Sequence, residues 1–566
     1  MSNFRKSIAS ALASWWFFGA VLVACAGLRV WHLVALSDLP LFDHLIIDSD
    51  YFDRWAQHLA GGDWLDRERG AFFADPLYPY VLGVIYSVAG RSLVAVHVVH
   101  VGLGVGTCAL VGLIGRRVAG PVAGGLAAAV VAFYRPAIFE EGEVEKTALG
   151  VFLVALSLYL LSRRSTRAII GAGVALGLTT LARGNAVLLI PFACVFVARR
   201  DGLKAAAMLA AGAIVALSPA LVRNRVVSGE WTPTATTGGG QNLYLGHNPW
   251  NVTGEFRSPP WVRPQAGREE VDWRAEASRR SGRPLSSAES STFWFREAVR
   301  YIAEDPARAA VVTAKKAVLL AADAELSDGW GIEFVARFSP PLRLPLLGMA
   351  FLFPLAVLGT AVSIRRREMW PVVGCAAVYA GSLTLFFIFS RYRLFVLPAA
   401  AVLAGVALAW LIDPRTPRAR ALAGLGGCVV LAWCSVQASS WVGLAPRDSS
   451  TNVANFAALY VDAGDLPAAE RLLVAENAAH PGAPAVLCRL GEVQFRAGRA
   501  LEAQSTLGAC IRSHPTYPDA WYWLGVTYEA LGMAPQAVMA YRQQLAIVPA
   551  HRYASERLSA LGATAW

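Results

Sequence analysis

The chain has 566 residues, of which 55% are hydrophobic and only 16% are charged. This composition excludes an ordinary soluble protein of that length, because soluble domains carry more charge. The formal net charge of +11 does not require a nucleic-acid partner, since the excess arginines fall in short loops between apolar runs and suit an anionic membrane surface.

About eleven apolar stretches approach the ~20 residues that a membrane-crossing helix needs. Arginine clusters fall in alternate gaps between them, which predicts a cytoplasmic N-terminus by the positive-inside rule. The stretch 76–90 would disturb this pattern as a span, so we interpret it as a helix in the outer membrane interface. The predicted spans are 12–36, 92–115, 118–134, 146–162, 168–182, 185–198, 204–222, 344–363, 370–389, 394–412 and 420–441.

This topology places three long regions on the outer side of the membrane. They are the first loop 37–91 with its juxtamembrane helices, the segment 223–340, which we interpret as a cap, and everything after Trp441. We therefore predict a membrane domain over 1–441, a linker over 442–451 and a separate C-terminal domain over 452–566.

The C-terminal domain repeats one residue pattern every 34 residues. Glycine recurs at 464, 498 and 532, alanine at 469, 503 and 537, and proline at 481, 515 and 549. This is the tetratricopeptide period, and three copies predict a short α-solenoid that docks a peptide or a protein. A purely structural lid for the membrane domain is the alternative. Cys488 and Cys510 fall on two helices of one repeat, and their spacing leaves open whether they form a disulfide.

Two carboxylates, Asp48 and Asp50, directly follow an apolar run in the first outer loop. A carboxylate at the membrane surface is costly unless it has a partner or a function. The pair suits a general base or oxygen ligands for a divalent cation. Alternatively, the two residues cap a helix and pair with Arg54 or Arg29.

Arginines also occur at the outer ends of two later spans, against the prevailing charge bias. Arg183 and Asn185 lie at one of these ends, and Arg391 and Arg393 at another. Their forked donors suit a phosphate at headgroup depth. Ion pairing with the acidic turn 139–150, which contains Glu143 and Lys146, is the alternative.

An ordered series of motifs resembles the integral-membrane glycosyltransferases that use polyprenyl-phosphate sugars, the GT-C superfamily. The series runs through GGDW (61–64), a Pro-Leu-Tyr-Pro helix, ARGN (182–185), RNRVVSGEW (223–231), GGGQNLYLGHNP (238–249) and SRYRL (390–394). The superfamily includes protein O-mannosyltransferases, glycosyltransferase family 39 and the lipid A aminoarabinose transferase. The resemblance implies an all-α polytopic membrane fold with about 11 transmembrane helices, followed here by the tetratricopeptide α-solenoid.

The resemblance also implies roles for individual residues. Asp48 is the expected general base of an inverting transfer to an acceptor hydroxyl, and Asp50 is close enough in sequence to share that role. The expected donor-phosphate ligands are Arg391, Arg393, Lys146 and Arg183. From their positions at the rim and in the cap, we also expect substrate contacts from Asp75, Glu143, Asn185, Asn242, Tyr244 and Asn248. A well-packed loop rich in glycine and asparagine is the alternative for the three cap residues. Asp75 stands where the lipid A transferase has a lysine, so a metal or acceptor role is open for it. No cofactor is certain, and a divalent cation would use Asp48, Asp50 and Asp75.

The partners implied are a polyprenyl-phosphate sugar, an acceptor that is a protein, a lipid or a polysaccharide, and a protein partner on the repeats. The resemblance implies a bacterial inner membrane with the repeats in the periplasm. Two other readings stay open at this point. One is a transporter or flippase, although the charges gather at one rim and not in mid-membrane. The other is a non-catalytic scaffold that presents the repeats.

Overall fold

The computed structural model describes residues 2–232, 234–262, 267–327, 329–444, 450–548 and 551–563. Throughout these residues the fold is helical, and strand-like pairing is limited to two isolated bridges, Tyr134 with Leu347 and Glu255 with Ile388. The chain forms two compact units. The first comprises residues 1–36 and 45–445, and the second comprises residues 37–44 and 446–566. The sequence placed 37–44 in an outer loop of the membrane domain, whereas this segment groups with the repeats.

The first half of the chain is a series of apolar helices joined by short turns. They are α1 (Ser2–Ala13), α2 (Trp15–Leu36), α3 (Pro40–Asp43), α4 (Ile47–Ala60), α5 (Leu77–Ala89), α6 (Leu93–Ala119), α7 (Pro121–Ala132), α8 (Arg135–Glu141), α9 (Thr147–Leu161), α10 (Thr166–Ala182), α11 (Leu189–Asp201) and α12 (Leu203–Ser228).

The region predicted as a cap and the last membrane helices follow. The cap contains α13 (Gly239–Gly246), α14 (Glu269–Ser281), α15 (Ser287–Glu304), α16 (Pro306–Ala321) and α17 (Ile332–Val335). The chain then forms α18 (Met349–Ser363), α19 (Trp370–Leu385), α20 (Ser390–Arg393), α21 (Leu397–Ile412) and α22 (Arg418–Trp441).

Among the described residues, five helical segments are long and apolar enough to cross a membrane. They are Trp15–Leu36, Leu93–Ala119, Leu203–Ser228, Ser390–Ile412 and Arg418–Trp441. Five more apolar helices have only 10–17 residues: α5, α7, α9, α10 and α18. The chain is thus a multi-pass membrane protein, but the predicted count of eleven spans is not confirmed. Several predicted spans form helices shorter than the ~20 residues that a straight crossing needs.

Small residues let the membrane helices approach one another closely. A Cβ on Gly177 of α10 would lie 2.7 Å from the carbonyl oxygen of Ala213 on α12. A Cβ on Gly115 of α6 would lie 2.8 Å from the Cα of Gly124 on α7. Helices in lipid associate through such close van der Waals contact, because lipid chains supply no hydrophobic drive between helices. These contacts fix the scaffold from which the outer loops emerge.

The second unit contains the predicted repeat helices. They are α23 (Ser450–Asp462), α24 (Leu466–Ala479), α25 (Pro484–Arg496), α26 (Ala500–Ser513), α27 (Ala520–Ala530), α28 (Ala534–Ile547) and α29 (Arg552–Ala560). Gly491 packs on Leu507 and Gly525 packs on Tyr541, so these two glycines, which lie one 34-residue period apart, occur where hairpin helices meet. Cys488 and Cys510 form a disulfide. Pro549 of the repeat pattern and residues 445–449 of the predicted linker lie outside the described residues.

Candidate functional site

Helix α4 carries Asp48 in its first turn and is held by its buried face. Phe52, Trp55 and Leu59 are buried at helical spacing along this face. Asp53 on the same helix accepts hydrogen bonds from the Tyr86 hydroxyl at 2.5 Å and from Arg91 Nε at 3.0 Å. The first turn of an α-helix favours a carboxylate, because its backbone N–H groups carry partial positive charge. Asp48 therefore sits on a rigid support.

Arg391 joins Asp48 to the acidic turn between α8 and α9. Its Nη2 donates to Asp48 Oδ2 at 2.7 Å, and its Nη1 lies 2.7 Å from Glu145 Oε1. The arginine side chain is 8% exposed and that of Asp48 is 31% exposed. The short helix α20 that carries Arg391 is fixed by Ser390, whose N–H donates to the Leu326 carbonyl at 3.0 Å. Residues 343 positions apart in sequence thus meet at one rim.

Several cations set the charge state of Asp48. Burial alone would raise the pKa of its carboxyl group. The charges of Arg391, Lys146 and Arg183, together with the hydrogen bond from Arg391, outweigh burial and lower the pKa below its ordinary value. Asp48 is therefore ionised at neutral pH, and its basicity is suppressed while Arg391 is bound to it.

Asp75 joins three segments of the chain that are distant in sequence. Its Oδ2 accepts from Lys146 Nζ at 2.6 Å, and its Oδ1 accepts from the backbone N–H of Gly184 at 3.1 Å. The first loop, the acidic turn and the ARGN turn are therefore joined through one carboxylate. The lysine expected at this position in the lipid A transferase is replaced here by an aspartate whose charge Lys146 balances.

The ARGN turn presents two predicted site residues. The guanidinium carbon of Arg183 lies 3.3 Å from the ring centroid of Tyr392, a cation–π contact beside Arg391. Asn185 donates from Nδ2 to Ser382 Oγ at 2.9 Å and accepts at Oδ1 from the Tyr379 hydroxyl at 3.3 Å. Arg183 thus belongs to the charged rim, whereas Asn185 ties the turn to α19.

Two predicted site residues are engaged elsewhere. Asp50 pairs with Arg54 one helical turn along α4, which is the structural alternative that the sequence left open. Arg393 donates to the backbone carbonyls of Leu319, Ala322 and Ala324 at the end of α16 and pairs with Glu325 at 2.8 Å. Its guanidinium group therefore holds a turn of the cap, and we leave both residues out of the proposed site.

The cap residues predicted as substrate contacts differ in accessibility. Tyr244 is buried, with its ring 4.8 Å from Trp294 and 6.1 Å from Trp273. Asn248 is fully buried, and its amide group donates to two backbone carbonyls and accepts from two backbone N–H groups of its own turn. Both have packing roles in the cap. Asn242 is exposed.

A small cavity, open to solvent, lies beside Asp48 and Arg391. Glu140, Glu143 and Glu145 contribute carboxylates to its lining, and Ile46, Ile47, Phe139 and Trp330 contribute apolar surface. Glu143 lies in this lining, and its contact with a substrate stays a prediction. Glu145 belongs to the acidic turn 139–150, and its contact with Arg391 at 2.7 Å is the ion pairing that the sequence left open as the alternative to phosphate binding. A cavity whose walls combine apolar and charged side chains suits an amphipathic ligand.

The carboxylates considered as metal ligands do not share one site. Asp48 pairs with Arg391, Asp50 with Arg54 and Asp75 with Lys146. Within the part of the chain that the structure describes, no group of three or more His, Cys, Asp or Glu side chains is arranged to hold a metal ion.

Two family models match the chain. Residues 74–222 match the family of dolichyl-phosphate-mannose-protein mannosyltransferases, and residues 519–546 match the tetratricopeptide repeat. They confirm the predicted class, a GT-C glycosyltransferase segment joined to tetratricopeptide repeats. The first match contains Asp75, Lys146 and Arg183, whereas Asp48 and Arg391 lie on either side of it.

Three individual proteins show partial similarity. The oligosaccharyltransferase of Archaeoglobus fulgidus, tethered to an acceptor peptide, is 13% identical with a TM-score of 0.40 over 78% of this chain and 57% of that chain. The first tetratricopeptide domain of Spaghetti (RPAP3), bound to an HSP90 peptide, is 18% identical with a TM-score of 0.20, covering 20% of this chain and 93% of that one. A probable biofilm formation methyltransferase of Pseudomonas putida is 32% identical over 96 residues, 17% of this chain and 22% of the relative. The chain thus spans about a fifth of that curated relative.

Proposed function

We propose that the protein transfers a sugar from a polyprenyl-phosphate donor to an acceptor hydroxyl at the periplasmic face of a bacterial inner membrane. One observation carries the proposal: a carboxylate on a rigid helix shares an arginine with a second carboxylate beside a cleft with polar and apolar walls. The match of residues 74–222 to dolichyl-phosphate-mannose-protein mannosyltransferases supports the same class of donor.

The proposed reaction inverts the configuration at the anomeric carbon. Asp48 accepts the proton of the acceptor hydroxyl, whose oxygen forms a bond to that carbon as the carbon–oxygen bond to the phosphate breaks. Both electrons of the broken bond stay with the lipid phosphate, which leaves. Phosphate is already an acceptable leaving group, so positioning and charge neutralisation supply most of the rate.

Arg391 has two successive partners in this scheme. In the resting protein its pairing with Asp48 lowers the pKa of that carboxyl group. A donor phosphate entering the cleft competes for the guanidinium group, because phosphate offers charged oxygens to the same fork. Asp48 then loses its partner and becomes a stronger base when the donor is bound. Lys146 and Arg183 complete the positive rim around the phosphate.

The repeats are proposed to dock the acceptor or a partner protein. Tetratricopeptide arrays form concave surfaces for peptides, and this favours a polypeptide or protein-bound acceptor. The disulfide between Cys488 and Cys510 supports an oxidising compartment, such as the periplasm, for this unit.

The decisive experiment replaces Asp48 with Asn, which removes the base and keeps the volume. Transfer of radioactive sugar from polyprenyl-phosphate mannose to membrane-fraction acceptors is measured with purified full-length protein. We expect the rate to fall by about 10²–10⁴-fold, the usual contribution of general base catalysis. The matched control is Asp50→Asn on the same helix, which should keep its rate within about twofold, because exposed ion pairs contribute little.

The same two variants distinguish the competing functions. Native mass spectrometry with undecaprenyl phosphate should show one retained lipid in wild type and in Asp48→Asn. Equal transfer by the wild type and Asp48→Asn would reject Asp48 as the base. Transport of a lipid-linked sugar by a wild type without transferase activity would favour a flippase, and no lipid retention by any variant would favour a scaffold.

A further inference from the structure

The backbone at Ile47, immediately before Asp48, has a left-handed conformation with φ of 52°. The Ser49 N–H donates to the Ile46 carbonyl at 3.1 Å, so Ile47 and Asp48 are the two central residues of a tight turn. Glycine and asparagine normally occupy such a position. A β-branched residue is disfavoured there, because its side chain crowds the backbone.

The neighbouring structure determines this strained conformation from both sides. Beyond the turn, Phe52 and Trp55 are buried and fix the axis of α4. Within the turn, the Asp48 carboxylate is held by Arg391 at 2.7 Å. The Ile47 side chain itself is 46% exposed, so its own burial offsets little of the strain. Strained residues persist only where their surroundings over-determine them, and they cluster at functional sites.

A glycine at this position would adopt the same φ without strain. It would also adopt many other conformations at similar cost, because it lacks a Cβ. The carboxylate one residue later would then sample several directions. Once the turn has formed, a β-branched side chain restricts φ and ψ at position 47 to one narrow region. The isoleucine therefore lowers the stability of the fold but fixes the direction of the Asp48 carboxylate.

We propose that the left-handed turn at Ile47 is a positioning device that aims the Asp48 carboxylate at Arg391 and at the cavity. Ile47 acts through Asp48 and makes no chemical step of its own. The inference rests on the proposed function of Asp48, but the strain itself is measurable without any assay of transfer.

Three single variants of the full-length protein test the proposal: Ile47→Gly, Ile47→Asn and Ile47→Val. Gly and Asn relieve the strain, so the unfolding midpoint in detergent should rise by about 2 °C. Their kcat for transfer from polyprenyl-phosphate mannose should fall about tenfold or more, because small misplacements of a reacting group are costly. KM for the donor should not rise, since the donor phosphate binds through Arg391, Lys146 and Arg183, and a loosened Asp48 competes less for Arg391. Val keeps the β-branch and should match wild type in both measurements.

A double variant shows whether Ile47 affects the rate of transfer through Asp48. In the Asp48→Asn background, Ile47→Gly should still raise the midpoint but cause no further loss of rate, because residues acting through one another are not additive. If the unfolding midpoint is unchanged or lower in both the Gly and the Asn variant, Ile47 is not strained in the folded protein. Full activity of these variants, or an added loss in the double variant, would overturn the positioning role. Full activity of Asp48→Asn would reject the proposed function, while the midpoints would still report on the strain.

Discussion

Two arginine–carboxylate pairs of this molecule have the same chemistry and different surroundings. Arg29 of α2 binds Glu141 at the end of α8, with side chains 1% and 9% exposed. Arg391 binds Asp48, and the aspartate is 31% exposed beside a cavity. The first pair is closed to any ligand and the second is reachable. An arginine–carboxylate pair is therefore evidence for a ligand site only where a ligand can reach it, because the two pairs are alike in residue type and geometry.

The closed pair anchors the acidic turn that supplies Glu145. Arg29 Nη2 donates to Glu141 Oε1 at 3.1 Å and Nη1 donates to the Cys25 carbonyl at 3.2 Å. Gly104 of α6 packs directly against both charged groups, and a Cβ there would overlap the carboxylate. The sequence offered Arg29 as a partner for Asp48 or Asp50. This alternative was wrong, because Arg29 lies seven residues before the end of α2 and faces α6 and α8.

Breaking the closed pair should give the largest loss of stability. Arg29→Met leaves Glu141 buried without its cation, which costs about 3–5 kcal/mol of unfolding free energy. The double variant Arg29→Met/Glu141→Leu removes both charges and should recover most of that loss. Thermal unfolding in one detergent measures both. If the double variant is as unstable as Arg29→Met, the loss does not come from a buried carboxylate left without its cation.

Breaking the open pair should weaken ligand binding, and it should also lower stability, because Arg391→Met removes the cation that lies 2.7 Å from the buried Glu145. Arg391→Met removes the proposed charged ligand of the donor phosphate, and such hydrogen bonds are worth about 1.5–3 kcal/mol. Retention of undecaprenyl phosphate, titrated by native mass spectrometry, should weaken by about 10–100-fold. Arg391→Lys keeps the charge but not the forked pair of donors, so its lipid affinity should lie between those of the wild type and Arg391→Met. Unchanged lipid affinity in Arg391→Met would mean that the phosphate binds elsewhere.

The lowered pKa of Asp48 predicts how the contribution of the open pair to stability changes with pH. A carboxyl group whose folded-state pKa lies below its unfolded value of about 3.9 stabilises the fold above that value. The contribution is lost as the pH falls through the lower folded pKa. The difference in unfolding midpoint between wild type and Asp48→Asn should thus be constant from pH 7 to pH 5 and shrink only below about pH 4. A difference that already shrinks between pH 7 and pH 5 would contradict a lowered pKa.

The sequence predicted the class of fold and the rim of charges, because both depend on local patterns. Apolar runs, arginine-rich gaps and a 34-residue period are visible without any tertiary information. The resemblance supplied Asp48, Lys146, Arg183 and Arg391, and the structure brings these four into one electrostatic cluster. Their proposed roles stay predictions.

What the sequence missed depends on contacts between distant residues. The partner of Asp75 is 71 positions away, and nothing near either residue indicated Lys146. Asn248 and Tyr244 lie in a glycine-rich segment that is typical of ligand loops, yet buried packing uses both side chains. The count of eleven spans stays a prediction, because five helical segments among the described residues are long and apolar enough to cross a membrane, whereas α7, α9, α10 and α18 are shorter. A left-handed isoleucine at position 47 has no sequence signature at all.

The smallest effect is expected for the third pair of this kind, Asp50 with Arg54. It lies on the same helix as Asp48 but is open to solvent, with side chains 37% and 68% exposed. An exposed pair one helical turn apart contributes about 0.3–0.5 kcal/mol, and salt screens it. Arg54→Ala should therefore lower the unfolding midpoint by no more than about 1–2 °C and leave lipid retention unchanged. A loss of lipid retention comparable with that of Arg391→Met would show that the binding site extends along the outer face of α4 beyond the cavity.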